Sequence, residues 1–148
     1  MRSSAEEELL VKAMVYIDGA SRGNPGPASC AAVICVEQAP EKRLGIYLGT
    51  ATNNVAEYSG LILGLCEALD CGADEVDIRS DSNLCVQQVK GEFKVKNEGL
   101  IPLHHRVRYL LRKFRSWEIS YVPREENAAA DSTSNRVLDL QELLARGR

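Results

Sequence analysis

The sequence predicts a single α/β domain, built on a five-stranded mixed sheet that is antiparallel over its first three strands, then parallel at the last two, and flanked by helices. Two observations carry this prediction. The 148 residues fit one core, since domains usually hold roughly 100–200 residues. Strand-like runs come first, and later runs alternate with helical patterns, which is typical of a mixed sheet covered by helices.

The first three strands are predicted from short runs of β-branched and aromatic residues. Val15–Ile17 ends at Asp18, and the stretch 21–27 that follows is dense in Gly, Asn and Pro. Ala31–Val36 and Leu44–Leu48 are two further runs joined by a short loop. Loops of this length suit hairpins, so the three runs predict an antiparallel meander.

The remaining elements follow a strand and helix rhythm. Apolar residues recur at helical offsets over Asn54–Leu69, with Thr52 or Asn53 available as N-cap and Gly72 just past the end. The later elements are predicted as a strand over Val76–Ser80, a helix over Asn83–Val89 capped by Ser82, a helix over Leu100–Phe114, a strand over Trp117–Val122 and a helix over Asn127–Ala145.

Composition predicts an intracellular protein or an excised domain of one. The apolar run Leu61–Leu65 is far shorter than the ~20 residues of a membrane span, and the acidic amino terminus lacks a signal sequence. Five cysteines without a CxxC pair favour reduced thiols in the cytoplasm over a disulfide scaffold or zinc finger. We expect residues 1–13 to form a flexible or helical extension and residues 14–148 to form the domain.

Charge is unevenly distributed along the chain. The formal net charge is −3, yet residues 90–115 carry eight basic and two acidic residues, a local charge of +6 that leaves −9 for the rest. Such a basic strip could bind a polyanion or form a solvated helix face, and charge alone does not choose between these interpretations.

Four carboxylates lie at predicted element ends, where sheet proteins build their sites. Asp18 and Asp81 each follow a strand, while Glu57 and Asp131 lie early in helices. If they converge, their oxygens suit hard cations such as Mg²⁺, and two such ions suit phosphodiester hydrolysis. Each residue alone also has an ordinary role: a turn residue, a solvated charge, an N-cap and a helix-dipole partner.

The carboxylates belong to motifs that follow one another along nearly the whole chain. These are Tyr16–Gly19 followed by Arg22–Pro27, then Thr52–Tyr58, Ser80–Leu84, and Val122–Asn127 leading to Ala130–Asp131. Together they resemble type-1 ribonuclease H, and Gly91–Lys96 resembles the archaeal-type and retroelement-like branch of that family.

The resemblance implies a ribonuclease H-like fold and a metal-dependent endonuclease. By resemblance, Asp18, Glu57, Asp81 and Asp131 are metal-binding catalytic residues for two Mg²⁺ ions, with Mn²⁺ as an alternative. The implied reaction cleaves the RNA strand of an RNA–DNA hybrid and leaves 3′-hydroxyl and 5′-phosphate ends. We expect a monomer that uses no organic cofactor and does not bind a membrane.

Substrate recognition is implied for several polar residues. Asn24, Asn53 and Asn54 match family positions that contact the hybrid in its minor groove, where the 2′-hydroxyl distinguishes RNA from DNA. Asn83 falls where the family often carries Gln or Asn. These asparagines are also ordinary loop residues. Thr52 either binds a phosphate of the DNA strand or only caps the helix.

The chain departs from the bacterial pattern in its basic region. Bacterial members carry a basic helical protrusion, and the segment between Val89 and Leu100 is too short for that extra helix. Lys90, Lys94 and Lys96 are expected to replace it in part, which predicts salt-sensitive affinity.

Two other departures concern the end of the chain. Arg124 lies near the position of a mobile-loop histidine in bacterial members, and it is expected to bind the scissile phosphate or help product release rather than titrate. His104 and His105 are expected to be surface or core residues. Ser132–Asn135 is more polar than the family pattern, which leaves the packing that orients Asp131 in question.

Three functions follow from this sequence. The first is an active hybrid ribonuclease, favoured by four intact carboxylates. The second is a module that binds hybrid or double-stranded RNA with weak or lost catalysis. The third is the ribonuclease H domain of a reverse transcriptase polyprotein.

Overall fold

The protein folds around one five-stranded sheet with the strand order β3-β2-β1-β4-β5. A computed structural model describes residue 3 and residues 9–147. The strands are β1 (Lys12–Ser21), β2 (Gly26–Val36), β3 (Lys42–Ala51), β4 (Glu75–Ser80) and β5 (Ser116–Tyr121). β1 pairs antiparallel with β2 and parallel with β4, β2 pairs antiparallel with β3, and β4 pairs parallel with β5. The predicted mixed sheet is therefore confirmed.

The helices also follow the predicted order. They are α1 (Asn53–Asp70), α2 (Asn83–Lys90), α3 (Ile101–Leu111) and α4 (Ala128–Arg146), with a short 3₁₀ helix (Arg124–Asn127) before α4. The last helix was predicted to start at Asn127, where the structure instead has the end of this 3₁₀ turn. Among the described residues, no helix is both long and apolar enough to cross a membrane.

β1 begins earlier and ends later than its apolar run indicates, since Asp18 lies within the strand and pairing with β2 continues to Ser21. Lys12 pairs with Glu75 of β4, so the strand reaches two residues into the segment expected to be an extension. The carboxylate of Asp74 accepts a hydrogen bond from the Val11 amide at 3.0 Å, which fixes the start of the strand. The expectation for residues 1, 2 and 4–8 lies outside the described residues.

Helices cover both faces of the sheet. α1 packs on the face that carries Val15, Ile17 and Ala32, and the lack of a side chain at Gly64 lets the helix approach those residues closely. Ser29 lies an odd number of positions from Ala32, hence on the opposite face, and its hydroxyl donates to a carbonyl of α4 at 2.7 Å. α4 therefore covers the second face.

Strand register brings two acidic residues together at one sheet edge. β1 and β4 are parallel neighbours, and Ile17 pairs with Ser80 at the end of their ladder. Asp18 is the next residue of β1, and Asp81 directly follows β4. Parallel strands end at the same edge, which is where α/β sheets form their sites.

Candidate active site

Three of the four predicted carboxylates form a tight cluster. One carboxylate oxygen from each of Asp18, Glu57 and Asp81 lies within 4.8 Å of the others. Asp18 and Glu57 are 4% and 8% exposed, whereas Asp81 is half-buried. Asp18 and Asp81 owe their positions to strand register, and Glu57 is delivered by α1.

The approach of α1 to β1 depends on Gly19. A Cβ atom built on Gly19 would lie 2.3 Å from the carbonyl carbon of Ala56 and from the amide nitrogen of Glu57. Only glycine fits against this backbone. The residue after Asp18 thus allows the second turn of α1 to bring Glu57 against the strand end.

Asp131 lies in the same cleft but outside the cluster of three. The cleft has a volume of about 430 Å³, and its lining includes all four carboxylates together with Asn53, Arg124 and Asn135. The Asn135 amide donates to the Asp131 side chain at 3.3 Å and to the Asp131 carbonyl at 2.9 Å. One turn of α4 therefore orients this carboxylate.

Burial and mutual repulsion raise the pKa values of the clustered acids. The pKa of Asp18 rises to about 6, chiefly because the group is buried, and the charges of Asp81 and Asp131 add to the rise. The pKa of Glu57 rises well above its usual value, mainly through burial and then through Asp18 and Asp81. Burial also raises the pKa of Asp81, against the opposing effects of Asn127 and Arg124.

Two oxygens of the cluster lack the partners that buried carboxylates need. Glu57 Oε2 and Asp81 Oδ2 are buried and have no hydrogen-bond partner among the described residues. Unpaired buried oxygens are costly, and the three carboxylates lie close enough together to repel one another when ionised. A divalent cation would satisfy these oxygens, and an all-oxygen donor set suits Mg²⁺ or Mn²⁺. The residues present therefore fit such an ion.

Ser134 is a site residue that the sequence interpretation missed. Its fully buried hydroxyl donates to Asp18 Oδ2 at 2.7 Å and lies 3.0 Å from the Asp131 carbonyl oxygen. This hydrogen bond lowers the pKa of Asp18 and opposes part of the effect of burial. The polar stretch that was expected to disturb the packing around Asp131 supplies hydrogen bonds to Asp18, through Ser134, and to Asp131, through Asn135. Their spacing after Asp131, three and four residues on a helix, was the available signal.

Two of the residues expected to contact substrate, Asn24 and Asn53, are joined by a hydrogen bond. Asn24 Oδ1 accepts a hydrogen bond from the Asn53 amide at 3.1 Å, which ties the Gly-rich loop to the start of α1. Asn53 lines the cleft, and Asn54 beside it is exposed. Thr52 caps α1, since its hydroxyl accepts from the Val55 amide at 3.2 Å. The cap is thus observed, and phosphate binding by Thr52 stays a prediction.

Other predicted contacts lie outside the cleft lining. Asn83 is exposed at the start of α2, and its side chain accepts from Gln87 at 3.2 Å. Lys94 and Lys96 are exposed on the segment after α2. His104 lies 3.1 Å from the Gln88 carbonyl oxygen and, like His105, does not line the cleft.

Comparison with known proteins shows the family. A family model described as "Reverse transcriptase-like" matches residues 16–137. Ribonuclease HI of Halobacterium salinarum is 42% identical over 125 residues, which cover 84% of this chain and 63% of that protein. The chain belongs to the type-1 ribonuclease H family. A bifunctional protein of Mycobacterium tuberculosis is 41% identical over 134 residues, 87% of this chain and 36% of its own length. The chain thus spans only part of these curated relatives.

Solved ribonuclease H structures share the fold. The crystal structure of the Halobacterium salinarum ribonuclease H1 matches with a TM-score of 0.83 at 40% identity, covering 86% of this chain and 98% of that chain. LC11 ribonuclease H1, solved in complex with an RNA/DNA hybrid, matches with a TM-score of 0.77 at 37% identity, covering 84% and 94%. The sheet order and helix arrangement described above are therefore those of a ribonuclease H.

Proposed function

We propose that this ribonuclease H domain is an endonuclease that hydrolyses the RNA strand of RNA–DNA hybrids and leaves 5′-phosphate and 3′-hydroxyl ends. The observation that carries the proposal is the cluster of Asp18, Glu57 and Asp81, with two buried oxygens that have no partner among the described residues. Asp131 lines the same cleft and is proposed as the fourth metal-binding residue. The proposed cofactor is a pair of Mg²⁺ ions, with Mn²⁺ as the alternative.

The side chains of the cleft have distinct tasks in this proposal. Bound divalent ions would activate water and stabilise the leaving oxygen. Asp18 and Glu57 are buried carboxylates that would bind the ions, and Ser134 holds Asp18 in place. Arg124 lines the cleft and is always protonated, so it can bind a phosphate oxygen but cannot act as a base near pH 7.

Recognition of RNA is assigned to the asparagines beside the cleft. An asparagine amide can both donate to and accept from a 2′-hydroxyl, which is the group that distinguishes RNA from DNA. The hydrogen bond from the Asn53 backbone amide holds the Asn24 side chain beside Asn53, which lines the cleft, and Asn54 is exposed next to Asn53. The complex of LC11 ribonuclease H1 with an RNA/DNA hybrid supports this substrate class.

The setting of the protein completes the proposal. We propose that it works in the cytoplasm as a monomer, without an organic cofactor. All five cysteines are free thiols, which suits a reducing compartment.

The test is cleavage of a labelled RNA–DNA hybrid with Mg²⁺ or Mn²⁺ by the wild type and by Asp81→Asn. Asp81→Asn should remove several kcal/mol of metal-dependent stabilisation of the transition state, which predicts a fall in cleavage rate of at least about a hundredfold. Asp70→Asn makes the same chemical change at an exposed residue at the end of α1 and should cleave like the wild type. Hybrid binding without metal-dependent cleavage would instead identify a binding module, and equal cleavage by Asp81→Asn would contradict the assigned site.

A further inference from the structure

The carboxyl-terminal half of the basic strip has no role in the site described above. Five cations lie on α3 and just after it: Arg106, Arg108, Arg112, Lys113 and Arg115. All five are exposed, and none takes part in the ion pairs found among the described residues. A cationic surface that has no ion-pair partner among the described residues attracts polyanions.

Two of these cations form a groove with an indole ring. Arg108 lies in the last turn of α3, and Arg112 directly follows that helix; with Leu111 and Trp117 they line a groove of about 330 Å³. The Arg108 guanidinium lies 5.9 Å from the centre of the Trp117 ring, and its Nη1 donates to the Val89 carbonyl at 2.7 Å. Arg108 is therefore ordered before any ligand binds, which lowers the entropy cost of binding.

Two other cations of the strip contact a tyrosine ring instead of lining the groove. Arg106 and Lys113 both lie against the ring of Tyr109, with their cationic groups 5.4 and 4.7 Å from its centre. These residues carry the same total charge as Arg108 and Arg112 but do not line the groove. They therefore provide an internal control on the same segment of the chain.

α2 connects the groove to the catalytic cleft. Ser82, the N-cap of α2, lines the cleft, and Val89 near the other end of α2 is held by Arg108. An eight-residue helix is about 12 Å long. That length corresponds to roughly four base pairs, since the phosphates of one strand are spaced about 3.4 Å along the duplex axis.

We propose that the groove of Arg108, Arg112 and Trp117 binds the phosphate backbone of the hybrid, roughly four base pairs from the cleaved bond. This inference rests on the proposed function. Guanidinium groups bind phosphate oxygens in a bidentate manner, and the indole offers an apolar surface to the sugars. Exposed Lys90 follows Val89 directly and adds a further cation at this end of α2.

The test measures affinity for a long hybrid in an Asp81→Asn background, which separates binding from cleavage. Fluorescence anisotropy is measured against salt with a hybrid of roughly 16 base pairs, which spans both sites at the spacing above. Arg108→Gln with Arg112→Gln should lower the slope of log affinity against log salt by about 1.8, because each lost phosphate contact is worth about 0.9.

The control pair is Arg106→Gln with Lys113→Gln, which should leave the slope for the long hybrid unchanged. An equal fall in slope for both pairs of substitutions would overturn the proposal in favour of diffuse attraction. An unchanged slope for Arg108→Gln with Arg112→Gln would also overturn it. Arg112→Gln alone keeps the hydrogen bond from Arg108 to Val89, so it tests the groove in an intact fold with an expected fall of about 0.9. If the protein bearing wild-type Asp81 fails to cleave hybrid while these slopes change as stated, the proposed function fails and the groove stands.

Discussion

The buried carboxylate cluster predicts that the metal-free protein becomes less stable as the pH rises from about 4 to about 7. The pKa of Asp18 is raised from 3.8 to about 6 in the folded protein, chiefly by burial. A carboxyl group with a raised pKa holds its proton more tightly when folded than when unfolded. Its contribution to stability is therefore fully present below pH 3.8 and is lost as the pH rises through about 6.

The size of this effect follows from the shift. About two pKa units at 1.36 kcal/mol each give roughly 3 kcal/mol of unfolding free energy. Asp18 is 4% exposed, so solvent screening reduces this value little. Asp18→Asn should remove this loss of stability at high pH, and it also removes a charge that repels Glu57. In EDTA at pH 7.5, Asp18→Asn should therefore exceed the wild type by roughly 3 kcal/mol, or about 6–12 °C in Tm.

The measurement is urea unfolding of both proteins in EDTA at several pH values. The difference between the two proteins cancels the contributions of distant titrating groups. Saturating Mg²⁺ should raise the unfolding free energy of the wild type at pH 7.5, because a ligand that binds the folded state stabilises it. It should raise the unfolding free energy of Asp18→Asn much less. In EDTA, a difference in unfolding free energy between the two proteins that stays constant from pH 4 to pH 7.5 would refute the reasoning. A wild type that is more stable than Asp18→Asn at pH 7.5 in EDTA would refute it as well.

Two further predictions concern the residues that hold the cluster together. Gly19→Ala places a methyl group 2.3 Å from the backbone of α1 and should cost at least 1–3 kcal/mol of unfolding free energy; a cost under about 0.5 kcal/mol would show that α1 can move away freely. Ser134→Ala removes the hydrogen bond to Asp18 and should weaken Mn²⁺ binding about 10-fold by calorimetry, as loss of a partner to a metal ligand commonly does. The control for it is Ser132→Ala, exposed on the same helix, and equal affinities in the two variants would contradict a positioning role for Ser134.

The sequence alone predicted the element order from local patterns, whereas it assigned the carboxylates to one site through the resemblance to type-1 ribonuclease H. Asp18 lies just beyond the ladder between β1 and β4, and Asp81 directly follows β4, so parallel neighbouring strands bring both to one edge. Helical periodicity after the cap at Thr52 placed Glu57 early in α1. Strand ends were predicted less well, because pairing continues over polar residues such as Lys12, where no apolar alternation marks the strand.

These patterns indicate only part of the role of Ser134. Periodicity places Ser134 on the same face of α4 as Asp131, but it does not say which residue of the sheet lies opposite. That depends on how α4 lies across β1 and β2, which is fixed by contacts such as the hydrogen bond from Ser29 to the Ser134 carbonyl. Sequence comparison with the family pattern showed only that the segment is unusually polar.

Burial of the acids has two opposite consequences for pH dependence, and both follow from the same geometry. A divalent ion binds the ionised carboxylates, so it competes with the protons that burial makes harder to remove from Asp18 and Glu57. Affinity for the ion should therefore rise with pH over the same interval in which the metal-free protein loses stability. The unpaired oxygens of Glu57 and Asp81 make the fold less stable without a cation, and they also supply the ligands that a cation needs. In this cluster, the features that favour binding of a divalent ion thus lower the stability of the metal-free fold. The hydrogen bond from Ser134 to Asp18 reduces that loss of stability, because it opposes the effect of burial on the pKa of Asp18.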